Sequence, residues 1–280
     1  MKRYRVIPLI DFDMRANWLI LEPPEQYTPE AIAQLRSVQD RIKLELINQY
    51  GNANSDIKIK NFIDLGIKPF SVISFHNRFL NQVRDAFIIG AYYPAVTGTC
   101  SLGERILNHL LITLREDYKH TAYYKNVYKK DSFDDWNLAI QTLSSWGILL
   151  PKVIKEFNEL RDLRTASIHF RPNVDTNDRE LSLIAIQCME KIVIGQFSCD
   201  GSQPWYITDS HGAIYIKKQC ESDPFIKKII IPNSILVGPG HRLKSNLGNV
   251  EAVENCQYED KVITDDEFIR LREEDLIRGK

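Results

Sequence analysis

The sequence predicts a mainly α protein, a helical bundle carrying a small β-containing appendage, α+β overall. Three observations predict it. Apolar residues recur at helical spacing through the middle of the 280-residue chain. Short links join these amphipathic segments, as they do in bundles. After about Asp200 the texture changes to short β-rich runs separated by turn signals such as Gly238-Pro239-Gly240. Three regions follow: 1–68 with N-terminal strands and a helix that can pack on the C-terminal sheet, 69–199 as the bundle, and 200–280 as a small β-rich domain with a terminal helix.

Taken in order, 5–12 and 16–21 are short, apolar or alternating, and read as two strands ended by Pro23-Pro24. Thr28 caps a helix with Pro29 at its first position, and Gly51 closes it. The alternation of Lys58 and Lys60 hints at a strand over 57–67. The first long helix of the bundle spans 72–93, with Val72, Phe75, Phe79, Val83 and Ala86 on one face, and Pro94 ends it. Ser101 and Glu104 form a capping box that opens the next helix, whose Ile106, Leu107, Leu110, Leu111 and Leu114 point inward. Ser132 to Asp135 is a second cap, followed by the Trp136, Ile140 and Leu143 stripe up to Gly147. Another helix begins near Pro151 and buries Val153, Phe157 and Leu160. Asn177 with Glu180 caps the last long helix, built on Leu181, Ile184, Ala185, Cys188 and Ile192. The runs 205–207, 213–218, 226–231 and 234–237 read as β, and 265–278 as a charged terminal helix.

Composition narrows the function. Hydrophobic residues make up 44% of the chain, enough for a sizeable core. The formal net charge is −1, so any nucleic-acid site must be a local basic patch. The five cysteines, Cys100, Cys188, Cys199, Cys220 and Cys256, are widely spaced and contain no Cys-x-x-Cys pair, so neither a disulfide framework nor a zinc site is indicated. A reducing cytoplasm fits that usage. No signal peptide and no apolar span of about 18 residues is evident, so no membrane partner is expected. The sequence has no Gly-x-Gly-x-x-Gly, no Walker loop, no Gly-x-Ser-x-Gly elbow and no histidine–carboxylate ligand spacing. Neither a cofactor nor a metal is expected.

The segment with chemistry runs from Asn158 to Phe170. Arg164 and His169 are separated by four residues at the end of an apolar-periodic helix, and Pro172 stops that helix almost at once. Arg164 continues the spacing of Val153, Phe157 and Leu160, so its guanidinium lies near the edge of the buried face. An imidazole titrates near neutral pH, about 6.5, and a guanidinium is a planar fork for phosphate oxygens. Arg115 and His120 repeat the spacing but run out into an exposed polar stretch, and are set aside. Arg161 can add a phosphate contact. Between Lys119 and Lys130, Tyr123, Tyr124 and Tyr128 alternate with Lys125, Lys129 and Lys130. Aromatics there can stack unpaired bases while lysines neutralise phosphates.

The Arg–four residues–His pattern after a Leu-Arg pair resembles the HEPN superfamily. Gly90-Ala91-Tyr92-Tyr93-Pro94 and Ser101-Leu102-Gly103-Glu104-Arg105 are similar to the opening helices of abortive-infection HEPN proteins, and the resemblance covers roughly 70–198. It implies an all-helical, metal-independent endoribonuclease from a bacterial toxin or anti-phage system. It also implies a homodimer with both motifs facing one cleft, with Arg164 and His169 catalytic and Arg161, Lys125, Lys129 and Lys130 binding RNA. An antitoxin or a phage-derived trigger would be its partner. Thr165 stands where the family usually has Asn, Asp or His. That departure favours a second reading, a non-catalytic HEPN-type subunit that dimerises or senses a nucleotide or protein partner.

Overall fold

The computed structural model describes residues 1–7, 12–168, 177–199, 201–208, 210, 213–246, 249–254, 259 and 261–278. It is mainly helical with two small antiparallel sheets, as the sequence predicts. The chain runs β1 (Arg3–Val6), α1 (Arg15–Ile20), α2 (Pro29–Tyr50), α3 (Ser55–Leu65), α4 (Ser74–Ile88), α5 (Tyr92–Leu114), α6 (Tyr124–Val127), α7 (Trp136–Ser145), α8 (Pro151–Ile168) and α9 (Asp178–Ile192). β2 (Ser234–Val237), β3 (His241–Asn246), β4 (Asn249–Glu254) and α10 (Asp265–Arg278) complete it. Among the described residues, no helix is long and apolar enough to cross a membrane.

α5 is the central helix, packed against α4, α7, α8 and α9. Its leucines and isoleucines at 102, 106, 107, 110, 111 and 114 are all buried. Two glycines set how closely its neighbours approach. A Cβ at Gly98 would stand 2.8 Å from the Val83 side chain, and one at Gly103 would stand 2.6 Å from the Trp136 ring. Missing side chains here are what admit α4 on one flank and the indole of α7 on the other.

Several expected boundaries are corrected. The break after α4 falls at Gly90, in the left-handed region at φ +87°, and not at Pro94. Pro94 lies in the first turn of α5, where its missing N–H has no helical acceptor to lose. Ser101 and Glu104 therefore stand inside α5 and form no cap. The expected strand at 16–21 is α1: Asp13 accepts the Arg15 backbone N–H at 2.9 Å and pairs with its guanidinium, which starts a helical turn. Gln39 of α2 closes the other end by donating to the carbonyls of Trp18 and Leu21. The strand hint at 57–67 is also a helix, because Asn61, Phe62 and Leu65 are the inward positions while Ile57 is exposed. The stretch 226–231 is helical too. Asp223 accepts from the amides of Phe225 and Ile226 and starts a turn that buries Ile226, Ile229 and Ile230.

β2 forms as expected and pairs antiparallel with β1, Arg3 opposite Val237. The N-terminal strand is thus hydrogen bonded to a strand of the C-terminal region. Among the described residues, the runs 205–207 and 213–218 form no strand and contribute the isolated bridges Tyr206–Ile216 and Arg5–Tyr215. The β3–β4 hairpin was not expected, since its alternating polar residues carry little apolar signal. One apolar cluster extends from Val6 through the bundle to Ile230, and a second gathers Tyr215, Val237, Ile263 and Phe268 beside α10.

His76 sits at the first turn of α4 and is fully buried. Its Nδ1 meets Ser71 Oγ at 2.9 Å, its Nε2 has no hydrogen-bond partner among the described residues, and the rings of Phe75 and Phe197 pack edge-on around it. Burial pushes its pKa down to about 3. The folded state therefore refuses a proton that the unfolded chain accepts below its ordinary value near 6.5. This residue's contribution is intact above that value and falls by about 1.4 kcal/mol per pH unit on acidification toward pH 3. Urea unfolding of wild type and His76→Gln between pH 7 and pH 4 should show a shallower acid slope in the variant. Equal slopes would refute it.

Candidate functional site

Val153, Phe157 and Leu160 are fully buried on α8, and the same spacing carries Arg164 to the edge of that face. Its side chain is 30% exposed. One guanidinium nitrogen lies 3.4 Å from Glu104 Oε2, and the guanidinium carbon lies 5.8 Å from the Trp136 ring centroid. Glu104 Oε2 also accepts the Trp136 indole N–H at 3.3 Å. Three helices thus meet in one constellation: Glu104 from α5, Trp136 from α7 and Arg164 from α8. A pair this exposed is worth at most about 1 kcal/mol, so its consequence is orientation of the guanidinium and little stability. Cys100, one turn before Glu104, is buried, and burial pushes its thiol up to about 12, so it stays protonated.

Arg161, one turn before Arg164, donates to Asn158 Oδ1 at 2.9 Å, to Asp162 and to Asn137, the second residue of α7. The two arginines therefore flank the start of α7, whose first turn is capped by Asp135 accepting from the Leu138 amide at 3.0 Å. Asn108 of α5 fixes the approach to that turn by exchanging two hydrogen bonds with the backbone of Phe133. Thr165 is exposed and donates to the Arg161 carbonyl at 3.0 Å.

Two surface depressions border the constellation. One, of about 370 Å³, is lined by Glu104, Ser101, Arg105, Asn108, Asp131 and Ser132. The other, of about 340 Å³, brings Tyr123 beside Asn137, Asn158 and Arg161. The tyrosine–lysine stretch therefore borders the same side of α8 as Arg161. Lys125, Lys129 and Lys130 are all exposed. The Lys129 ammonium lies 5.3 Å from the Tyr128 ring centroid, and the rings of Tyr124 and Tyr128 lie 5.5 Å apart. Arg115 is occupied elsewhere: it donates to the carbonyls of Val127 and Lys130 and pins this stretch, which explains why the second arginine–histidine spacing is structural.

The structure brings together Arg164, Arg161 and one end of the basic aromatic stretch. His169 and Pro172 lie outside the described residues; α8 is described as far as Ile168. Sequence reasoning missed Glu104 and Trp136 as the neighbours of Arg164. The signal was present: Glu104 falls within the stripe Cys100, Leu107, Leu111, and a carboxylate in an apolar stripe needs a partner.

Glu156, Glu159 and Cys188 have ligand-type atoms within 4.8 Å of one another. Burial and the two carboxylates push the Cys188 thiol up to about 12, and Lys191 lies 3.6 Å from Glu156. A protonated thiol beside a paired carboxylate accounts for this group. Comparison with family models, curated proteins and solved structures gave no match to this chain.

Proposed function

We propose that this chain is a metal-independent endoribonuclease of the HEPN type, a toxin or anti-phage effector of the bacterial cytoplasm that acts as a homodimer. The observation that carries the reading is the placement of Arg161 and Arg164, one turn apart, around the start of α7, with Tyr123 of the basic aromatic stretch beside Arg161. In this chemistry the ribose 2′-oxygen attacks its own phosphorus, and the bond to the 5′-oxygen breaks. A base takes the 2′-proton, a cation holds the charge of the phosphorane, and an acid protonates the leaving oxygen. Arg164 supplies the cation, oriented by Glu104 and Trp136. His169 supplies the base or the acid, and its copy in a second chain supplies the other. An antitoxin or a phage-derived trigger would restrain or release the activity.

Incubation with total RNA should yield fragments that a His169→Ala variant does not produce. Intact RNA after exposure to the wild-type protein would count against cutting. The pairing of Arg164 with Glu104, together with Thr165 beside it, favours a second reading, a non-catalytic dimerising or sensing subunit. In that case Arg164→Ala should change partner binding or stability and leave RNA untouched.

The basic stretch has its own test. Lysines that neutralise phosphates release counterions, so log K falls with log salt in proportion to their number. A Lys125, Lys129, Lys130 triple alanine variant should bind single-stranded RNA with a salt slope smaller by about 2. An unchanged slope would remove these residues from the interface.

A further inference from the structure

We infer that the pocket between the α7–α8 link and the segment 204–226 binds a single nucleobase through an aromatic floor and a carboxylate at its rim. Its volume is about 180 Å³, and its walls include Leu150, Trp205, Cys220, Asp223, Phe225 and Ile226. Cavities of roughly 150 Å³ hold one benzene ring, so this pocket has room for a planar heterocycle and not for a chain of rings.

Its two ends differ chemically. Trp205, Phe225 and Ile226 are buried and form an apolar floor, with the Trp205 and Phe225 rings 5.3 Å apart at 62°. The Trp205 indole N–H is buried and has no acceptor among the described residues, whereas buried tryptophans ordinarily find one. Asp223 is exposed at the mouth. Its Oδ1 accepts from the amides of Phe225 and Ile226, at 2.8 and 3.3 Å. Among the described residues no hydrogen bond or ion pair engages its second carboxylate oxygen, which is free to accept. A flat apolar face with N–H donors along one edge fits the aromatic floor and the Asp223 carboxylate, and a ring nitrogen or carbonyl oxygen would accept from the Trp205 indole. Nucleobases have that chemistry, and stacking them on an aromatic wall is worth about 1–3 kcal/mol per base.

The site is separate from Arg164. Leu150 precedes the first residue of α8, and Arg164 stands thirteen residues beyond Pro151, about 20 Å along the helix. The base can therefore come from a free nucleoside or from a strand that also reaches α8. The inference does not depend on RNA being cut.

The test is calorimetric titration of the full chain with each of the four ribonucleosides, which carry no phosphate for Arg164 to attract. Saturable binding of at least one is expected. Asp223→Asn keeps the oxygen that caps the 225–226 turn and removes the second carboxylate oxygen, so its melting temperature should hold while affinity falls tenfold or more. Leu150→Trp fills the pocket and should abolish binding, and Arg164→Ala should leave it unchanged. Absence of binding at millimolar nucleoside would overturn the inference. So would binding indifferent to Asp223→Asn and matched by indole, which would mean an apolar cavity only. Competition between the bound nucleoside and an RNA oligonucleotide would assign the base to a strand; independent binding would assign it to a free nucleoside.

Discussion

Arg164→Ala is expected to lower RNA cleavage by roughly 10²- to 10³-fold with little loss of stability. The separation of the two effects follows from the geometry. The guanidinium is partly exposed, and its pair with Glu104 contributes at most about 1 kcal/mol to folding. Its proposed work is done on charge that develops on phosphate only during reaction, where a preorganised donor counts far more. Arg164→Lys should recover little, because an ammonium lacks the planar fork and loses the face-on contact with Trp136. Glu104→Gln keeps an acceptor for the indole N–H but removes the charge facing Arg164. It should lower kcat more than it raises KM. Cleavage rates on a labelled oligonucleotide, measured beside urea unfolding of each variant, check all three. A proportional loss of stability and activity in Arg164→Ala would assign the residue to the scaffold.

The largest expected effect on stability is at the buried pair of α4 and α9. Arg84 and Glu190 are hydrogen bonded with side chains 4% and 9% exposed, and Arg84 also donates to the Gly66 carbonyl that ends α3. Burial pushes Glu190 up to about 7, opposed by the Arg84 charge. Removing one partner of a buried pair typically costs about 3–5 kcal/mol, because the other charge is left uncompensated. Arg84→Met, which keeps the stem, should cost that much at pH 8. The deficit should shrink at pH 5.5. A carboxyl whose folded pKa is raised still holds its proton there, and the stability it lends runs down as pH climbs from its ordinary value of 4.5 through that raised pKa. Arg84→Met with Glu190→Leu should restore much of the loss, since well-packed apolar residues often replace a buried pair without penalty. Strict additivity of the two single changes would show that the pair is not coupled.

Much of the fold was legible because it rests on local signals. Thr28 with Pro29 marks the start of α2 by capping chemistry, the signal at Ser132 to Asp135 precedes α7 with Asp135 itself as the cap, and the charged terminal helix lies where the sequence places it. The misread elements share a cause. At 16–21, 57–67 and 226–231, β-branched or alternating residues suggest strands, but tertiary burial of one helical face decides otherwise. The misplaced boundary near Pro94 came from weighing proline as a terminator when its position in the first turn makes it an initiator. At the candidate site, the edge position of Arg164 was legible from the spacing of Val153, Phe157 and Leu160. Its partners reach it from helices sixty and twenty-eight residues earlier: the stripe around Glu104 signals that the carboxylate needs a partner, but no local pattern says that Arg164 is the one.

The central claim is that the strand is cut by its own 2′-oxygen, with Arg164 holding the phosphate. The most direct measurement is cleavage of a defined RNA oligonucleotide by purified protein in excess EDTA, with the new ends identified by mass. The account predicts undiminished cutting, 2′,3′-cyclic phosphate ends, and loss of both in Arg164→Ala and His169→Ala. Cutting abolished by EDTA and restored by a divalent ion, or full cutting by either variant, would contradict it.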